Sequence, residues 1–221
     1  MLVKVCGITR PEDADEAVRC GAGALGFVFW PRSPRFVDPY RARAIVASLP
    51  PFIATVGVFV NQPAEYVNGV ASLVGLSAVQ LHGDETPPFA AGIRRPVIKA
   101  IALGQGSHAD AAQMWMDRFT LLLDAEDSEK RGGTGRPIDW TQASVLAAAR
   151  RVVLAGGLTP DNVADAIRTV RPFGVDVSSG VEMSPGVKDH ARLRALFEAL
   201  TERTVDGITA APWKMWGPAT K

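Results

Sequence analysis

Cys6 and Asp124 are the two residues whose types and positions suggest chemistry. Cys6 lies in Lys4-Val5-Cys6-Gly7-Ile8-Thr9 and closes a short alternating run, residues 2–6, that reads as a strand. Asp124 closes the apolar run 119–124. A thiol and a carboxylate brought to one edge suit proton exchange, one group taking a proton and the other giving one. Nucleophilic catalysis fits less well, because there is no Cys-His-Asn pattern and the chain has only 3 histidines. A thiol with a reference pKa of about 8.5 must be lowered to act as a base, and nearby positive charge does that. Lys4 is two residues back on the same strand face. A carboxyl near 3.9 has the opposite need and must be held protonated. Leu121, Leu122 and Leu123 give Asp124 an apolar setting. Alone, Cys6 would read as a small buried residue and Asp124 as a cap or loop carboxylate; together on one edge they favour catalysis.

Other polar positions converge on the same edge. Gly156-Gly157 and Ser178-Ser179-Gly180 each end an apolar run. Such turns let backbone N–H groups and a helix N-terminus approach a phosphate. Arg35 follows Pro34 in a stiff loop, and its planar fork suits a substrate carboxylate, although a solvated loop arginine is as good a reading. Gln80 and His82 share one face of a run; both are expected to touch the ligand, with a satisfied polar group at the mouth as the other reading of His82. Asp176 shares a face with Ser178 and is expected to pair with Lys4 or hold sugar hydroxyls. No spacing supplies three metal ligands. Gly132-Gly133-Thr134-Gly135 reads either as a linker or as a lid that excludes water.

These positions meet only if the fold gathers strand ends. Strands are expected at 2–6, 24–30, 53–60, 78–82, 97–101, 119–124, 152–155 and 174–178. Helical patterns fall at 11–20, 39–48, 64–74, 89–94, weakly at 108–118, at 139–150, from Thr159 onward, and at 188–202. Thr9 is the expected cap of the first helix, with Pro11, Glu12 and Asp13 in its first turn. Apolar strands each followed by a helix mean parallel strands covered on both faces. Eight such units over residues 1–203 predict a single (β/α)8 TIM barrel, with functional groups at the carboxyl rim. A doubly wound open sheet is the alternative, weakened by the lack of a Gly-x-Gly-x-x-Gly after a strand. Residues 204–221, with Trp213 and Trp216, read as an extended or flexible tail.

Composition narrows the partners. The 221 residues are 47% hydrophobic with a net charge of +1, enough for one sizeable core. No basic cluster calls for nucleic acid, and no apolar stretch is long enough to span a bilayer. The first residues lack a leader pattern, and 2 cysteines fit a reducing cytoplasm, with Cys20 a small buried residue of the first helix.

With these residues in place, the chain resembles the phosphoribosylanthranilate isomerase family of tryptophan biosynthesis from about residue 2 to about residue 200. The motifs are KVCGIT, GFVFWPRSPR, GVFVN, VQLHGDE, LLLDAEDSEKRGGTGRPIDW, LAGGLTPDNV and GVDVSSGVEMSPGVKD, with no departure at a motif position. The resemblance implies an aldose–ketose isomerase that performs an Amadori rearrangement without a cofactor. It implies Cys6 as general base, Asp124 as general acid, Arg35 on the anthranilate carboxylate, and the Gly-Gly and Ser-Ser-Gly turns on the phosphate. The expected partner is the phosphorylated sugar–anthranilate substrate, and the expected assembly a monomer or homodimer. The histidine-pathway sugar isomerase, a doubled half-barrel with an aspartate base, ranks below because Cys6 holds the base position and no half-repeat is visible. A silent phosphate-binding scaffold ranks below because both Cys6 and Asp124 are present.

Overall fold

Eight short runs of alternating or apolar residues pair side by side, and the last pairs with the first. The computed structural model describes residues 1–103, 112–115, 119–125 and 139–201. Its strands are β1 (Leu2–Cys6), β2 (Ala24–Val28), β3 (Ala54–Phe59), β4 (Ala78–Leu81), β5 (Val97–Leu103), β6 (Thr120–Ala125), β7 (Val152–Leu154) and β8 (Gly174–Val177). They run in sequence order around a closed parallel barrel, β1 meeting β8 through Lys4 opposite Asp176. The described helices are α1 (Pro11–Cys20), α2 (Pro39–Ser48), α3 (Ala64–Val74), α4 (Pro87–Ala91), α5 (Trp140–Ala149), α6 (Val163–Val170) and α7 (His190–Thr201). None of them is long and apolar enough to cross a membrane. The barrel reading therefore holds, and the open-sheet alternative falls.

Strand alternation sorts the side chains into two layers. Val3, Val5, Leu25, Phe27, Leu121 and Leu123 join the large core between barrel and helices. Ala100, Leu122, Val153 and Ala155 form a separate small cluster within the barrel. Cys6, Val28 and Val58, with Trp30 against them, form another. The apolar setting expected of three leucines thus comes from Leu122 alone on the face Asp124 shares, because its two neighbours point outward.

Several local expectations need correction. Thr9 does not cap α1: Arg10 holds the cap position, and the Thr9 hydroxyl donates to the Gly186 carbonyl at 2.5 Å. Strand β2 ends at Val28 and β8 at Val177, so their last expected residues belong to the rim loops. Helix α6 starts at Val163 because Asn162 first folds a turn, accepting from Thr159 N–H at 2.8 Å and donating to the Gly157 carbonyl at 2.9 Å. Cys20 is half-buried rather than buried. A short 3-10 turn (Ser179–Val181) and an antiparallel pair, β9 (Glu182–Ser184) with β10 (Val187–Lys188), were not expected. Runs of three and two residues are too short to show a period. Most of the weak helix 108–118, the glycine-rich segment 132–135 and the tail 204–221 lie outside the described residues.

Candidate active site

The carboxyl rim opens into one cavity, and Cys6 and Asp124 both line it. So do Arg35, Gln80, His82 and Asp176, and both turns, Gly156-Gly157 and Ser178-Ser179-Gly180. The spacing of strand ends therefore brings these residues to one place. Val28, Trp30, Val58 and Val60 supply an apolar wall that sequence reasoning missed. The available signal was Trp30 at the end of a strand run, where a core residue would not need an indole.

Cys6 is buried, and burial pushes its thiol up. Lys4 and Lys188 pull it down, and Asp176 adds to the rise. The Lys4 ammonium is 2.9 Å from Asp176 Oδ2, with both side chains buried. Although burial works against its charge, Asp176 and the neighbouring thiol hold Lys4 protonated. Of the two expectations for Asp176, pairing with Lys4 is thus what Oδ2 does. Its Oδ1 is buried and makes no hydrogen bond among the described residues.

Asp124 is fixed from two sides. Its Oδ1 accepts the Ala125 N–H at 2.8 Å, and its Oδ2 is 3.2 Å from His82 Nε2. Gln80 Nε2 lies 2.8 Å from His82 Nδ1. An amide nitrogen only donates, so Nδ1 accepts and Nε2 carries the proton that faces Asp124. His82 is then a satisfied polar group, held by Gln80 and Asp124, that also lines the cavity. Gly156 lets this carboxylate sit where it does. Its φ is +80°, and a Cβ there would fall 2.7 Å from Ala125 N and 3.1 Å from Asp124 Oδ1. The Gly180 backbone packs so closely on the Leu158 carbonyl that a Cβ would overlap it, which presses the two turns together.

Arg35 is not a solvated loop residue. Its Nε and Nη2 donate to the Glu182 carboxylate at 3.0 and 2.7 Å. Glu182 also accepts from Lys188 Nζ at 2.8 Å, and that ammonium reaches the Cys6 carbonyl at 2.6 Å. Burial pushes the Glu182 carboxyl up, but Arg35 and Lys188 outweigh it and hold it below the usual carboxylate range. Guanidinium has five N–H donors, so this pairing leaves Nη1 for a second carboxylate. Glu182 and Lys188 do not line the cavity but hold Arg35 and the Cys6 carbonyl from behind it, a support the sequence reading missed because both sit on the unexpected β9–β10 pair. Among the described residues no cluster of three His, Cys, Asp or Glu is placed to hold a metal.

Fold and site together define a (β/α)8 barrel with a polar cavity at the carboxyl rim of its strands, the usual place for catalysis in enzymes of this fold. A family model described as N-(5'-phosphoribosyl)anthranilate (PRA) isomerase matches residues 3–199. The chain belongs to this family of isomerases, which serve tryptophan biosynthesis. It is 50% identical over 200 residues to the N-(5'-phosphoribosyl)anthranilate isomerase of Pelobacter propionicus, covering 90% of this chain and 95% of that one. The crystal structure of phosphoribosyl anthranilate isomerase from Thermotoga maritima is similar, with a TM-score of 0.86 and 44% identity over 91% of this chain and 99% of that one. Another such isomerase, solved in complex with reduced 1-(o-carboxyphenylamino)-1-deoxyribulose 5-phosphate, has a TM-score of 0.82 and 43% identity over 91% of this chain and 100% of that one.

Proposed function

We propose that the protein converts N-(5′-phosphoribosyl)anthranilate into 1-(2-carboxyphenylamino)-1-deoxyribulose 5-phosphate, with Cys6 as general base and Asp124 as general acid. The observation that carries this reading is the meeting of thiol, carboxyl and two glycine-bearing turns around one cavity. Asp124 protonates the ribose ring oxygen as the C1′–O bond breaks, and the anilino nitrogen lone pair forms the C1′=N bond. Cys6 as thiolate then takes the C2′ proton, its electron pair moves into C1′=C2′, and the nitrogen is neutralised. The enolamine becomes the ketone when C1′ is protonated and the C2′ hydroxyl loses its proton. Every proton starts and ends on the substrate, the two side chains or water, so the reaction needs no cofactor.

The remaining groups bind. The N–H groups of Gly157 and Ser179 make no hydrogen bond among the described residues, which supports a phosphate held by the two turns. Gln80 and Asp176 each line the cavity with one buried acceptor oxygen that has no partner among the described residues, which suits sugar hydroxyls. The wall of Val28, Trp30 and Val58 suits a flat aromatic ring. The two free thiols support a cytoplasmic setting. The test is direct: purified protein is given substrate made in situ, and anthranilate fluorescence is followed. No change in fluorescence with pure protein would sink the reading.

Arg35 is the proposed clamp for the anthranilate carboxylate. Arg35→Ala is expected to weaken substrate binding by about 1.5–3 kcal/mol, the scale of a charged hydrogen bond, or roughly ten- to a hundredfold in KM. It also removes a partner of the buried Glu182 carboxylate. The melting temperature should therefore fall too, which a solvated arginine would not cause. Unchanged KM and kcat would show that Nη1 meets no carboxylate.

A further inference from the structure

Gly26 faces the catalytic edge from the neighbouring strand, with Cys6 as its partner in the β1–β2 register. A Cβ at this position would lie 2.7 Å from Cys6 Sγ, 3.0 Å from Lys4 Nζ and 3.1 Å from Cys6 Cα. Thiol and ammonium therefore both press on one point that only a glycine leaves empty. The same ammonium is 2.9 Å from Asp176 Oδ2 on the other neighbouring strand. Lys4 thus stands between a sulfur and a carboxylate, and any other residue at 26 would have to move the sulfur or the ammonium.

We propose that Gly26, Lys4 and Asp176 act together as positioning residues that set the charge on Cys6: the gap at 26 admits the ammonium to the sulfur, and Asp176 draws it back. This rests on the reading of Cys6 as the base. The charges around the thiol come from several elements. Lys4 lies on β1, Asp176 on β8 and Lys188 on β10, whose Nζ binds the Cys6 carbonyl; Arg35 and Glu182 are linked to Lys188 through Glu182. Asp124 with His82 lines the same cavity. Of these, Lys4 favours the thiolate most strongly and Asp176 opposes it most strongly.

The consequence is a pair of opposite effects. A role confined to holding the barrel together would make loss of either partner harmful in the same direction. A charge-setting role makes Lys4→Met suppress the thiolate and Asp176→Asn promote it. Gly26→Ala should resemble Lys4→Met, because its methyl group separates sulfur and ammonium.

The experiment is alkylation of the free enzyme by iodoacetamide as a function of pH, with modification at Cys6 read by mass spectrometry. A Cys20→Ser background removes the second free thiol. One neighbouring charge moves an ionisation by a unit or more, so at neutral pH the rate should fall about tenfold in Lys4→Met and in Gly26→Ala and rise about tenfold in Asp176→Asn. The double variant Lys4→Met/Asp176→Asn removes both charges, avoids an unpaired buried carboxylate, and should fall between the single variants. Near-ultraviolet circular dichroism checks that each variant is folded. Rates that move the same way in Lys4→Met and Asp176→Asn, or do not move in Gly26→Ala, overturn the proposal. If the rates move as expected while neither limb of kcat/KM against pH moves, charge setting stands and the assignment of Cys6 as base fails.

Discussion

Cys6→Ala is expected to remove nearly all turnover while product binds almost as in the parent. The C2′ proton must go to a base on the rim, and the other candidates are each held by a partner through at least one atom. Asp176 faces Lys4 at 2.9 Å and His82 faces Asp124 at 3.2 Å. General base catalysis contributes roughly 10²–10⁴-fold, and a loss on that scale is expected. The mutation removes one sulfur from a small cluster with Val28 and Val58, so the fold should survive. Cys6→Ser should be nearly as poor, since a hydroxyl is a far weaker base than a thiol. Because burial pushes the thiol up, the active thiolate form is gained as pH rises, and kcat/KM should climb with pH on its acidic limb. The decisive measurement is single-turnover fluorescence beside calorimetric product binding. Substantial turnover in Cys6→Ala would show that another group takes the proton.

Asp124→Asn should lower kcat by about 10²–10⁴-fold, the usual contribution of a positioned general acid. The substitution is close to isosteric. An asparagine oxygen can still accept the Ala125 N–H, and its amide can still face His82 if the imidazole changes tautomer and the Gln80 amide turns over to accept from Nδ1. What is lost is the transferable proton, so fold and phosphate binding should persist. Substrate supplied already ring-opened does not need the acid for that step and should recover much of the rate. In the parent enzyme the acid must be protonated and the base ionised, which gives a bell-shaped pH profile. The limbs belong to the pair jointly, so substitution assigns them where the bell cannot. Wild-type turnover by Asp124→Asn would mean that ring opening is spontaneous or served elsewhere.

Much of this site was legible without coordinates. Cys6, Asp124, Gly156-Gly157 and Ser178-Ser179-Gly180 all close strand patterns, and a parallel barrel puts every strand's carboxyl end on one rim. Strand and helix periods are local, so a sequence displays them directly. The rim position of these residues followed from that alone, as did the shared face of Gln80 and His82.

What only the tertiary structure decided is how the side chains pair once they arrive. Arg35 reads locally as a free loop arginine, yet it is anchored by Glu182, 147 positions away. Lys188 reads as the start of the last helix, yet it lies on β10 and holds the carbonyl of Cys6 from 182 positions away. Gly26 reads as one small residue in an apolar run, and only the β1–β2 register shows that it makes room for a thiol and an ammonium. Propensity and periodicity act over a few residues, so they report where a side chain is carried. Burial then removes water from polar groups that must each find a partner, and the choice among distant partners is made by barrel closure.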